Sequence, residues 1–272
     1  MDNVSMKFLV ILFFGLFVVR AELMDRNIRI VGGTAARPGQ FPHAVGLVLH
    51  LTQNRESFCG GSIIHPAYIL TAAHCLDDVT RVEVLAGIQR IFSQTSAQYR
   101  QMVTPRDIRS HPNYNRQTLI NDIGLLFLIR RIPLGGDMQT INLPPRSHTN
   151  NRFVGAVATV IGWGRTTDAS RALSNDLRFV ALPIVADQHC IDVYNTDYRY
   201  FNPSNICISG ARGSTCNGDS GGAMHLNINS RMAVIGIVSY GSSTCESGHP
   251  PVMTRVTSYL DWISANTGIS LN

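Results

Sequence analysis

The stretch Cys216-Asn217-Gly218-Asp219-Ser220-Gly221-Gly222 places one serine among three glycines, behind an aspartate and a cysteine. Glycine allows a positive φ and a close approach of the backbone to a ligand, so we expect Ser220 to be presented at a surface. The same residue types also form ordinary turns. The stretch alone therefore leaves two interpretations open, a structural turn and a site built around Ser220.

The overall composition indicates an ordinary globular protein. Of the 272 residues, 44% are hydrophobic and 15% are charged, which argues against a disordered or coiled-coil chain. The formal net charge of +5 is spread along the sequence without a run of Lys or Arg, so we expect no nucleic-acid partner. The length allows one large domain or two ordinary ones.

The N-terminus has the pattern of a secretory signal peptide. Lys7 precedes twelve apolar residues, 8–19, and the aliphatic and small residues up to Ala21 suit cleavage by signal peptidase. This apolar segment is too short to span a bilayer, and a buried core strand is its alternative interpretation. We predict a signal peptide over residues 1–21, and therefore a secreted, extracellular protein without membrane attachment after processing.

From Phe41 onward, short apolar runs rich in Val, Ile and Leu alternate with Gly, Pro, Asn and Asp. The clearest runs are 44–51, 61–64, 68–71, 82–86, 123–129, 154–161, 177–182 and 232–240. Such runs are typical of an all-β barrel or sandwich. The segment 144–148 contains two prolines and is the best candidate linker between two β domains.

Helical spacing is convincing only near the C-terminus. Val256, Tyr259, Leu260 and Ile263 lie at positions i, i+3, i+4 and i+7, and Gly268 follows the last turn. We expect an amphipathic helix here, packed on the second domain.

Ser220 also fits the G-x-S-x-G motif of the α/β-hydrolases. That class needs an acid and then a histidine downstream of the serine. The downstream order is His225, His249 and Asp261, in a region with a β pattern, so we disfavour this class.

The upstream sequence supplies a different pair of partners for the serine. His74 follows an apolar strand in 71–75, and Asp122 precedes another in 122–126. A serine hydroxyl becomes a nucleophile when a histidine takes its proton and a carboxylate holds that histidine in the required tautomer. Each residue alone is ordinarily a surface or turn residue, but the order His74, Asp122, Ser220 is a specific signal for this chemistry.

Six motifs together resemble the chymotrypsin and trypsin family of serine endopeptidases, in particular the secreted chymotrypsin-like digestive proteases of arthropods. They are Ile30-Val31-Gly32-Gly33, Thr71-Ala72-Ala73-His74-Cys75, Asp122-Ile123-Gly124-Leu125-Leu126, Gly162-Trp163-Gly164, Gly218-Asp219-Ser220-Gly221-Gly222 and Ser239-Tyr240-Gly241. The resemblance implies an all-β fold of two six-stranded antiparallel β-barrels with a C-terminal α-helix. It places the first barrel in residues 30–145, and the second barrel with the helix in residues 146–272.

The resemblance also implies a catalytic role for several residues. His74 would act as general base and acid, Asp122 would orient it, and Ser220 would attack the peptide carbonyl. The backbone N–H groups of Gly218 and Ser220 would form the oxyanion hole. No cofactor is implied.

Activation by proteolysis follows from the same resemblance. Arg29-Ile30 is by itself a weak processing signal, but in this family cleavage frees the α-amine of an isoleucine, which pairs with the aspartate before the nucleophile, here Asp219. We expect a zymogen whose propeptide, residues 22–29, is removed by a trypsin-like protease.

The resemblance implies the disulfides Cys59–Cys75, Cys190–Cys207 and Cys216–Cys245, which spacing alone would leave open. At the calcium loop of the family, Ile88 replaces the usual glutamate. We therefore expect no metal requirement.

The expected specificity depends on a pocket formed by Ser214, Ser239, Tyr240, Gly241 and Pro251. Ser214 stands where trypsin-like relatives carry Asp, and a neutral hydroxyl does not offset the burial of a Lys or Arg charge. Substrate would lie extended along the motif 239–241. Gly241 leaves one wall open, whereas Pro251 replaces a small residue on the other wall and adds volume.

We therefore expect cleavage after bulky apolar or aromatic residues, with an elastase-like preference for small or aliphatic residues as the alternative. Glu246 lies near the pocket and could instead favour a basic residue. A catalytically inactive homologue acting as a binding protein is the remaining class. The expected partners are protein or peptide substrates, an activating protease and protein inhibitors, and the expected state is a monomer.

Overall fold

The structure is a computed structural model, and it describes residues 31, 33–93, 97–194 and 201–271. The predicted signal peptide and propeptide, with Arg29 and Ile30, lie outside these residues. The described part contains the strands β1 Thr34–Ala35, β2 Ala44–Leu51, β3 Glu56–His65, β4 Tyr68–Thr71, β5 Val79–Ala86, β6 Tyr99–Val103, β7 Ile108–Ser110, β8 Gly124–Phe127, β9 Val157–Gly162, β10 Arg178–Val185, β11 Asn205–Ile208, β12 Ala223–Ile228, β13 Arg231–Tyr240 and β14 Val252–Arg255. Its α-helices are α1 Asp187–Tyr194 and α2 Leu260–Thr267.

The strands form two antiparallel sheets. Strands β2 to β8 form one sheet of seven strands in the order β6-β5-β2-β3-β4-β8-β7, and its end strands β6 and β7 are not paired with each other in the described residues. In the second sheet, the pairing of β9 with β10 closes six strands into a barrel. The predicted all-β fold is confirmed, as a closed barrel and a half-barrel with a short C-terminal helix.

The short strand β1 comes from the start of the chain but belongs to the second sheet. Thr34 pairs with Phe179 of β10, and the Arg178 side chain donates a 2.7 Å hydrogen bond to the carbonyl of Gly33. The N-terminal segment thus crosses to the far half of the molecule, which brings residue 31 close to the stretch 214–220.

The sequence pattern did not predict the helix α1. The pattern indicated a helix only near the C-terminus, and the described part of the chain also contains α1. Its sequence, DQHCIDVY, is mostly polar and buries only Cys190, so it lacks an apolar stripe. Neither α-helix is long and apolar enough to cross a membrane, a finding that covers the described residues only.

The C-terminal helix forms as predicted, but its contacts are wider than expected. Gly268 ends α2 in the left-handed conformation, at φ 70°. The Tyr259 hydroxyl donates to Asn121 Oδ1 at 3.0 Å, and the Trp262 ring contacts His111. The helix therefore contacts the first half of the chain as well, since periodicity shows which face is buried but not what covers it.

Two buried histidines meet where the halves of the molecule join. His43 is 5% exposed and His225, on β12, is 2% exposed. Their rings meet edge to face with centroids 5.2 Å apart, beside the ring of Phe41. Neither His43 Nε2 nor His225 Nδ1 has a hydrogen-bond partner among the described residues. Burial, followed by the charge of His225, lowers the pKa of His43 to about 3, and burial lowers the pKa of His225 to about 4.

We predict that this pair makes the fold sensitive to acid. Between the ordinary histidine pKa and these lowered values, the unfolded chain binds protons that the folded chain excludes, so stability falls as pH falls. The loss is about 1.4 kcal/mol per pH unit for each histidine. Urea unfolding at pH 7 and pH 5 should show a smaller loss in His43→Phe and His225→Phe than in the wild type.

Each variant shares every other titrating group with the wild type, so the difference in pH dependence isolates the pair. His189 is exposed on α1, and His189→Gln should retain the pH dependence of the wild type. An equal loss of stability in the wild type and both phenylalanine variants would contradict the prediction.

Candidate active site

Asp122 is a fully buried carboxylate at the start of β8, with a relative exposure of 0%. Its Oδ1 accepts the backbone N–H of His74 at 2.8 Å, and its Oδ2 accepts His74 Nδ1 at 2.7 Å and Ser239 Oγ at 2.6 Å. The Thr254 hydroxyl donates to its backbone carbonyl at 2.8 Å. A buried charge requires such donors, and here they come from both halves of the chain.

His74 begins a short 3-10 helix, His74–Leu76, just after β4. Asp122 holds both its backbone and its ring, so the orientation of the imidazole is fixed. Because Nδ1 donates to Asp122, Nε2 carries no proton in the neutral ring. Gly124 permits this approach of β8, since a Cβ there would overlap the side chain of Leu76.

The pKa of His74 is raised above its ordinary value by opposing effects. Burial is the largest single effect and lowers this pKa. The charge of Asp122, its hydrogen bond and the charge of Asp77 together outweigh burial. The site therefore stabilises a protonated imidazole while leaving its side chain 23% exposed to the cleft.

Ser220 lies on the loop before β12, and backbone hydrogen bonds fix that loop. Its carbonyl accepts the N–H of Gly60 at 2.7 Å, and Gly221 N–H donates to Val238 at 2.9 Å. Ser220 and His74 line the same cavity, of about 590 Å³. No hydrogen bond joins Ser220 Oγ to His74 Nε2 in the described residues, and such contacts are often loose in the absence of substrate.

The backbone N–H groups of Gly218 and Ser220 are available to a ligand. Gly218 has φ +100°, which side chains rarely adopt, and Leu173 occupies the place of its missing Cβ. Within the described chain, no backbone carbonyl accepts the N–H of Gly218 or Ser220. Free donors at this position can stabilise an oxyanion.

Asp219 is a second fully buried carboxylate, 0% exposed. It accepts the backbone N–H groups of Gly164 at 2.7 Å and Cys216 at 2.9 Å. Burial raises its pKa to about 6, although these two hydrogen bonds act in the opposite direction. A Cβ on Gly162 or Gly164 would overlap the carboxylate, so both glycines of the motif 162–164 make room for it.

The predicted pocket residues lie on neighbouring segments. Ser214 is 6% exposed, and its hydroxyl donates to the carbonyl of Thr215 at 3.0 Å. Ser239 and Tyr240 end β13, next to the exposed Gly241. Pro251 is buried, with its Cα 3.7 Å from the place of a Cβ on Gly241.

Tyr194 is a pocket neighbour that the sequence did not reveal. Its hydroxyl donates to the carbonyl of Pro250 at 2.7 Å, and its ring contacts Tyr240 edge to face. It extends from the end of α1, a helix that the pattern also missed, so no periodic signal pointed to it.

Two loops at the mouth of the pocket are joined by a reciprocal contact that the sequence also did not reveal. The Asp168 carboxylate accepts the N–H groups of Cys245 at 2.7 Å and Glu246 at 3.0 Å. Glu246 in turn accepts the N–H of Asp168 at 2.7 Å. Glu246 is therefore engaged by a backbone donor and is exposed.

Disulfides join Cys59–Cys75, Cys190–Cys207 and Cys216–Cys245. The described residues contain two clusters of potential metal ligands. One is Cys59 with His74 and Cys75, and the other is Asp168 with Cys216 and Cys245. Each cluster contains two of the bonded cysteines, whose sulfur atoms cannot act as thiolate ligands.

The chain is similar to known proteins over most of its length. The sequence profile of the family described as Trypsin matches residues 30–263. Brachyurin of Leptuca pugilator is 38% identical over 243 residues, which cover 89% of this chain and 100% of brachyurin. Chymotrypsin of Phaedon cochleariae is 34% identical over 245 residues, which cover 90% of this chain and 84% of that protein. The solved structure of HL collagenase has a TM-score of 0.79 and 35% identity, and covers 89% of this chain and 100% of that chain.

We predict that the pKa of His74 depends on two neighbouring carboxylates. Asp77→Asn should lower this pKa, and Asp122→Asn should lower it further, because each change removes a charge that favours the imidazolium. NMR titration of the His74 ring would measure both effects.

Asp107→Asn is a suitable control, since this acid lies on the distant turn Pro105–Asp107 and should leave the titration of His74 unaltered. A His74 pKa that is the same in Asp77→Asn as in the wild type would contradict the assigned role of that charge.

Proposed function

Since the chain belongs to the trypsin family and is a serine endopeptidase of the chymotrypsin type, we propose that Ser220, His74 and Asp122 form its catalytic triad. The family and the enzyme class expected from the six motifs are confirmed. The observation that carries the proposal is the anchoring of His74 Nδ1 by the buried Asp122, with His74 and Ser220 lining the same cavity.

The geometry supports the following steps. His74 Nε2 takes the proton of Ser220 Oγ as that oxygen attacks the carbonyl carbon of the substrate. The resulting oxyanion accepts hydrogen bonds from the N–H groups of Gly218 and Ser220. His74 then protonates the leaving amine, and an acyl group remains on Ser220. Water, deprotonated by His74, hydrolyses this ester and restores the enzyme. Asp122 stays ionised throughout and stabilises the imidazolium.

We further propose that the protein is secreted as a zymogen. Residues 1–21 would be removed as a signal peptide and residues 22–29 by a trypsin-like activator. The freed α-amine of Ile30 would then pair with Asp219. One contact and one missing partner support this. The carbonyl of Val31 accepts the N–H of Ser214 at 2.7 Å, and no side chain forms an ion pair with Asp219 in the described residues. A buried carboxylate without a cation is costly, so the amine would stabilise the loop around Ser220.

The proposed substrates are proteins or peptides with a bulky apolar or aromatic residue before the cleaved bond. Ser214 is neutral, and one carboxylate oxygen of the exposed Glu246 already accepts the backbone N–H of Asp168, which disfavours a basic side chain in the pocket. Pro251 narrows the pocket beside Gly241, which favours an elastase-like preference as the second candidate. We also propose a monomer of two barrels, 30–145 and 146–272, that is open to protein inhibitors.

We predict that activation creates a new, buried N-terminal amine. Lys7 is the only lysine of the sequence, so cleavage at Arg29-Ile30 would leave the Ile30 α-amine as the only primary amine. Trypsin-treated protein should label at Ser220 with a fluorophosphonate, and its amine should resist acylation until the protein is denatured. Asp219→Asn should expose the amine and lower kcat/KM roughly a hundredfold or more, because breaking a buried pair costs about 3 kcal/mol.

Two controls separate activation from catalysis. Arg29→Gln should remain inactive after trypsin treatment. Ser220→Ala should lose labelling but keep a protected amine. Treated wild-type protein that neither labels nor hydrolyses any chromogenic peptide would favour the inactive homologue and refute the proposed function.

We also predict the substrate preference of the pocket. A peptide library should show cleavage mainly after Phe, Tyr, Leu or Met. Pro251→Gly should raise kcat/KM for Phe relative to Ala about tenfold, because a pocket contact of this size is worth about 1–3 kcal/mol. Met232→Leu, on the exposed start of β13, is the control and should keep the wild-type profile. Dominant cleavage after Arg or Lys would contradict the assignment of Ser214.

A further inference from the structure

The cavity that contains Ser220 and His74 is rich in arginine. Arg55, Arg116 and Arg165 line it, together with Gly218. A smaller cavity of about 400 Å³ shares Arg165 and Gly218 with it and is also lined by Arg171. Arginines thus surround the proposed oxyanion hole on the surface of the cleft.

These cavities lie on the leaving-group side of the proposed nucleophile. Their lining includes Phe58, and that of the larger cavity also includes the disulfide Cys59–Cys75. It does not include the pocket residues 239–241. The proposed acyl half of a substrate lies along 239–241, so the residues that follow the cleaved bond would extend into the arginine-lined cavities.

The acidic residues of the larger cavity already have cationic partners. Arg116 Nη2 contacts Asp78 Oδ2 at 2.7 Å, and its Nε lies 3.5 Å from Asp77 Oδ2. The hydrogen bond and charge of Arg116 lower the pKa of Asp78, and the charge of Arg55 contributes to this shift. Arg116 is thus paired with these acids, and the charge of Arg55 acts on Asp78 without an ion pair between the two in the described residues.

Arg165 and Arg171 differ in this respect. Neither forms an ion pair with any residue in the described part of the chain. Glu56, the one carboxylate of the smaller cavity, contacts His50 Nδ1 at 3.1 Å and forms no ion pair with either arginine in the described residues. The two arginines outnumber this carboxylate, so the smaller cavity keeps an excess of positive charge beside Gly218.

The backbone of Arg165 is fixed next to the catalytic loop. Its N–H donates to the carbonyl of Asn217 at 2.9 Å. Further along the same loop, Leu173 packs against Gly218. Arg165 is partly buried and Arg171 is exposed, so Arg165 has the better defined position and Arg171 the greater freedom to reach a ligand.

We propose that Arg165, assisted by Arg171, binds an acidic side chain of the substrate within the first three residues after the cleaved bond. The proposal rests on the proposed function and adds a substrate class to it: proteins in which Asp or Glu closely follows the cleaved apolar residue. Arg binds carboxylates through a planar pair of donors, and a partly exposed pair of this kind changes affinity about two- to fivefold.

The test uses quenched fluorescent peptides that share one cleaved bond and differ only in the second residue after it, which is Glu, Gln or Lys. Wild-type enzyme should show kcat/KM about fivefold higher for Glu than for Gln, with Lys lowest, and the difference should shrink in high salt. Arg165→Gln should bring the Glu to Gln ratio close to one, and Arg171→Gln should reduce it less. Arg106→Gln, an exposed arginine on a distant turn, is the matched control and should keep the wild-type ratio.

A p-nitroanilide substrate, which has no residue after the cleaved bond, separates this proposal from the proposed function. Hydrolysis of the anilide with equal rates for the Glu, Gln and Lys peptides would overturn the acidic preference alone. A Glu to Gln ratio that stays at the wild-type value in Arg165→Gln would overturn the role of Arg165. Failure to hydrolyse the anilide and all three peptides would overturn both the proposed function and the preference built on it.

Discussion

The carboxylate of Asp122 is the constraint on which the arrangement of the site depends. It is completely buried, and its donors are His74 from the first half of the chain and Ser239 from β13 of the second sheet. Thr254 of β14 holds its backbone carbonyl. A buried carboxylate without these donors would cost several kcal/mol. The orientation of His74 and the packing of the two sheets are therefore coupled, and one cannot be lost without weakening the other.

Asp219, which immediately precedes the proposed nucleophile Ser220, presents the opposite situation. Its donors in the described chain are the backbone N–H groups of Gly164 and Cys216, and burial raises its pKa to about 6. Asp122 has the His74 imidazole as its partner within the fold, whereas no cationic side chain of the described residues forms an ion pair with Asp219. Under the proposed function, an amine created by cleavage would supply this cation and stabilise Asp219. Gly218 lies on the same loop, so it would be stabilised with it.

Much of the fold could be predicted because burial leaves a periodic trace in sequence. The runs 44–51 and 68–71 coincide with β2 and β4, since both strands are mostly apolar and largely buried. The polar α1 left no such trace, and neither did the contact between Tyr194 and the pocket. Motifs pointed to His74 and Asp122. The hydrogen bonds between Asp168 and the loop at 245–246 could not be predicted, because only tertiary packing brings these chain segments together.

The sequence contains no lysine after Lys7, and this composition bears on both the pocket and the arginines that line the cleft. Every basic side chain of the proposed mature enzyme is an arginine, and Arg171 is exposed on a loop next to Gly218. A pocket with a carboxylate in place of Ser214 would make this loop, and the bond after Arg29, substrates of the enzyme itself. A neutral pocket removes both reactions, because burying a guanidinium without a counter-charge is costly. Under the proposed function, the neutral Ser214 would allow arginines to line the cleft and would leave cleavage after Arg29 to a protease of different specificity.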